Sequence, residues 1–120
     1  MPKFISVVKF LVKEGEVENF TDSMKKFVNP DGVIFRKVIK TGDRSYCSVV
    51  EWIDEDSLAK ARQQMIAYLD TVRDLLEEIT PELGVTDPAS GPVIIDEQGL
   101  VTSPCSSIIT GPDAGSVTPN

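Results

Sequence analysis

The feature that most limits the fold of this chain is a set of strand-like segments that are apolar on both faces. Lys3 to Val12 alternates Phe4, Ser6, Val8 and Phe10 on one side with Ile5, Val7 and Leu11 on the other. Gly32 to Lys40 sets Val33, Phe35 and Ile39 against Ile34 and Val38, and Arg44 to Ile53 sets Val50 and Trp52 against Cys47, Val49 and Ile53. A sheet with helices on one side normally turns a polar face to water on the other. Leaving about six to eight aliphatic side chains wet forfeits on the order of 10–20 kcal/mol, against a typical domain stability of about 5–15 kcal/mol. A second sheet is therefore expected to cover the open face, and a two-fold copy of the same chain supplies it most simply.

The helices are read from a change of period. From Glu16 to about Val28, Val17, Phe20, Met24 and Phe27 recur at three- and four-residue steps, and Asn29, Pro30, Asp31 and Gly32 then end the helix. Asp54, Glu55, Asp56 and Ser57 offer acceptors for a second helix start. That helix is expected to run to about Ile79, with Leu58, Ala61, Met65, Leu69, Val72, Leu76 and Ile79 as its apolar stripe. Thr41, Gly42 and Asp43 make strands two and three a hairpin. The proline-rich stretch from Thr80 to Pro92 is expected to be a loop, and Val93 to Asp96 a short last strand. The order β, α, β, β, α, β gives an α+β, ferredoxin-like domain with an antiparallel sheet, closing as a dimeric α+β barrel over residues 1–97. Residues 98–120 turn to Ser, Thr, Gly and Pro and are expected to be a tail or arm, disordered or crossing the dimer.

A net charge of -7, from 19 acidic and 12 basic residues, argues against nucleic acid and membrane surfaces as partners. The segment from Met1 lacks the unbroken apolar run of a signal peptide, and no stretch reaches membrane-spanning length. With Cys47 and Cys105 as the two cysteines, read as reduced thiols, a cytoplasmic homodimer is the expectation.

Gly15 followed five residues later by Phe20, and the Glu51-Trp52 pair before an acidic helix start, resemble the antibiotic biosynthesis monooxygenase domain group over roughly residues 3–96. The resemblance implies oxidation of quinol-type substrates without metal or flavin. A related branch binds and degrades haem through an Asn, a Trp and a His, whose places fall here on Val8, Trp52 and Arg62. The chain has no histidine; Met24, Met65 and Cys47 are improvised axial ligands at best. No cofactor and no metal are therefore expected.

Arg62 is the most informative single residue, because the helical period places it near Leu58, Met65 and Leu69 in an apolar stripe. It either faces a cavity beside Trp52, where it stabilises an enolate or phenolate oxygen, or packs its stem on the core and carries its head to solvent. Trp52 shares a strand face with Tyr46, Ser48 and Val50, while Ser6 lies on the Phe4 and Phe10 face. If these faces coincide, rings beside serines leave space for a small-molecule ligand; the alternative is an ordinary aromatic core. Trp52 and Arg62 are the catalytic candidates, and Tyr46, Ser48, Ser6, Met65 and Tyr68 the substrate-binding ones. The carboxylates of helix two are accounted for by its start and its solvated face, which leaves no obvious general base. The reading is a cofactor-independent monooxygenase-like protein for a small acidic aromatic molecule, or a non-catalytic ligand-binding or interaction dimer. Gly84 to Gly91 is a candidate lid, or a plain connection. Arg36, Lys37, Lys40 and Arg44 make the hairpin locally basic, either to pair with an acidic neighbouring helix or simply to be solvated.

Overall fold

The computed structural model describes residues 2–97. Its elements are β1 (Phe4–Leu11), α1 (Val17–Lys26), β2 (Val33–Lys40), β3 (Ser45–Trp52), α2 (Glu55–Val72), a 3-10 turn (Arg73–Leu75) and β4 (Thr86–Pro92). The four strands form one sheet in the order β2-β3-β1-β4, antiparallel at every pairing, which is the expected ferredoxin-like α+β arrangement. No helix among the described residues is long and apolar enough to cross a membrane. Tail residues 98–120, with Cys105, lie outside the described residues.

Three expectations are corrected. The last strand is Thr86–Pro92 and not Val93 to Asp96. Its two prolines are compatible with pairing because β4 is an edge strand, where one side of the backbone needs no ladder partner. Gly84 to Gly91 is accordingly no lid: most of it is β4, hydrogen-bonded to β1, and Gly84 is the left-handed residue of the turn before it. Beyond β4, Ile94 and Ile95 are exposed.

Second, α2 ends at Val72 instead of Ile79. The chain is captured there by the end of β1, since Lys13 N–H donates to Leu75 C=O and Glu77 N–H to Leu11 C=O. The apolar stripe outlives the helix, and both Val72 and Leu76 stay buried.

Third, β2 carries a bulge at Ile34, between Val33 paired with Trp52 and Phe35 paired with Glu51. The extra residue reverses which side chains face the helices. Val33, Arg36 and Val38 share the helix side with Trp52, Val50 and Ser48, while Phe35 and Ile39 turn to the open face with Glu51 and Cys47.

The start of α2 is fixed by Asp54, whose Oδ1 accepts from Ser57 N at 2.8 Å and Ser57 Oγ at 2.9 Å. These bonds hold the Asp54 carboxyl below its ordinary value. Gly32, with φ 89°, lies so close to this turn that a Cβ would meet Ser57 Cβ at 2.5 Å. Its carbonyl also accepts Ile53 N–H, so the entry to β2 and the entry to α2 are locked together.

Candidate functional site

The helix-covered face of the sheet reads as four rows of paired residues running from β4 through β1 and β3 to β2. They are Pro92, Phe4, Trp52, Val33; Ser90, Ser6, Val50, Arg36; Pro88, Val8, Ser48, Val38; and Thr86, Phe10, Tyr46, Lys40. Aromatic rings occupy only the first and last rows. Apart from Arg36 at the β2 edge, the middle rows hold serines, valines and a proline, which are too short to fill the space beneath two helices.

A half-open cavity of about 590 Å³ follows from that pattern, within the range of about 300–1,000 Å³ usual for small-molecule sites. Its floor includes Ser6, Val8, Ser48, Val50 and Trp52. Its walls come from Met24, Phe27 and Pro30 on one side, Leu58, Arg62, Met65, Ile66, Tyr68 and Leu69 of α2 above, and Thr86, Pro88 and Ser90 of β4. Spanning all four strands, it is roughly 14 Å wide at about 4.8 Å per strand, the length of a fused three- or four-ring aromatic.

Solid packing bounds it at each end. At the Phe10 row, Phe10, Val12, Phe20, Met24, Tyr46 and Leu76 form one buried cluster, with Phe20 at 5.6 Å from Phe10 and 5.4 Å from Tyr46 between ring centroids. At the Phe4 row, Phe4, Val50, Trp52, Leu58 and Ala61 form the other.

Trp52 is 1% exposed, and its Nε1–H donates to Ser6 Oγ at 3.0 Å. A hydroxyl that accepts such a bond keeps its own proton to offer and is polarised as a donor. Ser48 as a residue is 8% exposed and lines the cavity, and its hydroxyl has no partner among the described residues. Burying an unpaired hydroxyl costs about 1–3 kcal/mol, a cost that a ligand acceptor or donor removes. Tyr68 lies at the rim, its hydroxyl 3.2 Å from Ser23 Oγ and 3.0 Å from Met24 Sδ. Arg62 lines the cavity with an exposed side chain that has no ion pair or hydrogen bond among the described residues.

Of the residues singled out in the sequence, Ser6, Ser48, Trp52, Arg62, Met65 and Tyr68 are brought to one cavity. Tyr46 is not: it is 6% exposed and packs against Phe20 in the solid cluster. Among the wall residues that sequence reasoning missed, Arg36 is the charged one. Its place depends on the bulge, which no strand periodicity signals. The cavity lining contains no carboxylate, and no group of three or more potential metal ligands occurs among the described residues.

No family profile matches the chain, and no curated protein matches it in sequence. Solved structures do. The chain is similar to SnoaB, a cofactor-independent oxygenase from Streptomyces nogalater, with a TM-score of 0.59 and 17% identity over 85% of this chain and 100% of that one. It is similar to a candidate antibiotic biosynthesis monooxygenase from Bordetella bronchiseptica, with a TM-score of 0.63 and 14% identity over 79% and 100% of the two chains. A dimeric ferredoxin-like protein from an uncultured marine organism gives a TM-score of 0.63 and 14% identity over 83% and 95%. A protein of unknown function from Nitrosomonas europaea shares the fold as well. At these identities the likeness establishes the α+β fold of antibiotic biosynthesis monooxygenase-like proteins, and the fold alone.

Proposed function

We propose that this chain is a cofactor-independent oxygenase for a small, acidic, quinol-type aromatic, held in the cavity between the helices and the sheet. The observation that carries the reading is the largely apolar, sheet-wide cavity whose polar side chains, among them Ser6, Ser48 and Arg62, are able to donate to an oxygen anion. The SnoaB likeness supports the reaction class. With no carboxylate in the lining to act as base, the substrate must ionise easily by itself. An anthrone-type CH2 flanked by two rings does so, giving an enolate whose oxygen is stabilised by Arg62 and by the Ser6 hydroxyl, with Trp52 fixing the latter. Oxygen then adds to the electron-rich carbon; one oxygen atom ends in the product carbonyl and the other leaves as water, the substrate supplying the electrons. Met65 and Tyr68 enclose the ring system.

The test is oxygen uptake with a panel of anthrones and hydroxyquinones, for wild type and Arg62→Ala. Saturable uptake by wild type that falls at least about tenfold in the variant supports the proposal. Binding without uptake in either protein converts it to a ligand-binding module, a reading favoured by the exposed position of Arg62.

We also propose that the protein works as a cytoplasmic homodimer. Ile5, Val7, Val49, Phe35 and Ile39 leave an apolar strip on the face away from the helices, with Ile39 49% exposed, and a ferredoxin-like neighbour is dimeric. A folded, monodisperse monomer at micromolar concentration in sedimentation would contradict this.

A further inference from the structure

The geometry points to Arg36 as a second ligand-reading residue, one that selects molecules carrying an anionic oxygen at the β2 end of the cavity. This rests on the cavity being the ligand site. The β2 bulge sets Phe35 opposite Glu51 and Arg36 opposite Val50, so an arginine, and not the phenylalanine, enters the row that contains Ser6. Bulges commonly re-aim one side chain in this way beside functional sites.

Among the described residues the guanidinium is bonded only to uncharged groups. Nε donates to Asn29 Oδ1 at 3.0 Å, Nη2 donates to the Met24 carbonyl at 2.9 Å, and Cζ lies 5.1 Å from the centroid of the Phe27 ring. Phe27 in turn packs against Tyr68, the rings tilted by 58° with centroids 4.7 Å apart. Nη1 has no partner among the described residues, although Arg36 lines the cavity. A positioned cation with no carboxylate partner among the described residues, next to a cavity lining without a carboxylate, is arranged to take an anion from outside the protein. The Ser48 hydroxyl, one row away in the same cavity and without a partner among the described residues, is a second group that a ligand can bond. The ligand class that fits is a fused aromatic bearing a carboxylate or phenolate on the ring furthest from β4.

Anthraquinone-2-carboxylate and the neutral anthraquinone-2-carboxamide test this, with dissociation constants read from quenching of Trp52, the single tryptophan. Wild type binds the carboxylate about tenfold or more tightly than the amide. Arg36→Gln abolishes that preference, the carboxylate constant weakening far more than the amide constant. Arg36→Lys retains part of the preference, and Asn29→Ala, which loosens the clamp without removing the charge, keeps most of it. A preference that survives Arg36→Gln, or that disappears only in Arg62→Gln, overturns the assignment of Arg36 and leaves the cavity standing. Equal weakening of carboxylate and amide by Arg36→Gln also overturns it, because the residue then only supports α1. Failure of both probes to quench wild type overturns the cavity reading together with this one.

Discussion

The two ends of the helix-covered sheet face are both buried, yet they are built differently. At the Phe10 end, rings from β1, α1 and β3 interlock, and Phe20 and Val12 are wholly shielded from solvent. At the Phe4 end, the one large ring that is equally shielded, Trp52, spends its polar edge on Ser6 at the margin of the cavity. The first end is packed for stability, and the second holds open the space in front of it. Substitutions should therefore separate stability from ligand handling according to the row they fall in.

The largest effect is expected from Phe20→Ala, which should cost about 3–5 kcal/mol in urea unfolding because the ring has no room to be replaced. A cost below about 1 kcal/mol would mean that the solid end is not solid. Trp52→Phe keeps most of the apolar contact and deletes one hydrogen bond, so stability should drop by only about 1 kcal/mol while oxygen uptake falls by more than that energy accounts for. Equal losses in the two measurements would erase the distinction between the ends.

Ser48→Ala is the sharper probe. Removing a buried hydroxyl that has no protein partner should leave the unfolding free energy unchanged or raise it by about 1 kcal/mol, while affinity for quinol-type ligands weakens several-fold. A destabilised Ser48→Ala protein would show that the hydroxyl serves the fold.

The smallest effect concerns Asp54, which caps the turn carrying Leu58 and leading to Arg62. Its folded-state carboxyl is held below the ordinary value of 3.8, first by the Ser57 N–H and then by the Ser57 hydroxyl. The cap is thus fully stabilising above the unfolded value and is lost as pH falls through the lower folded value. Wild type should lose stability over that acid window, and Asp54→Ala should show a flatter pH profile there. Parallel profiles would remove the cap from the account.

The alternation of Phe4, Ser6, Val8 and Phe10 and the three- and four-residue spacing from Val17 to Met24 were enough to place β1 and α1, because both periods are direct consequences of backbone geometry. The last strand was illegible for an equally physical reason. Thr86–Pro92 has turn-like composition and forms a strand only because β1 offers it a ladder, whereas Val93 to Asp96 has strand propensity and lies beyond the end of that ladder at Phe4 and Pro92. The Ile34 bulge is a tertiary accommodation, so its consequence, Arg36 in the cavity wall, was hidden too. The grouping of Ser6, Ser48 and Trp52 was readable from face parity, while Tyr46 shares that parity and differs only in its row.

The central claim, that the middle rows enclose a ligand space and not core, is tested most directly by Ser48→Phe, with unfolding and Trp52 quenching by an anthraquinone followed on the same protein. An added ring that enters existing space should leave the fold at least as stable as wild type and abolish saturable quenching. If Ser48→Phe instead destabilises the protein by the 1–3 kcal/mol typical of an overpacked core, and wild type shows no saturable quenching, the cavity is not a binding site.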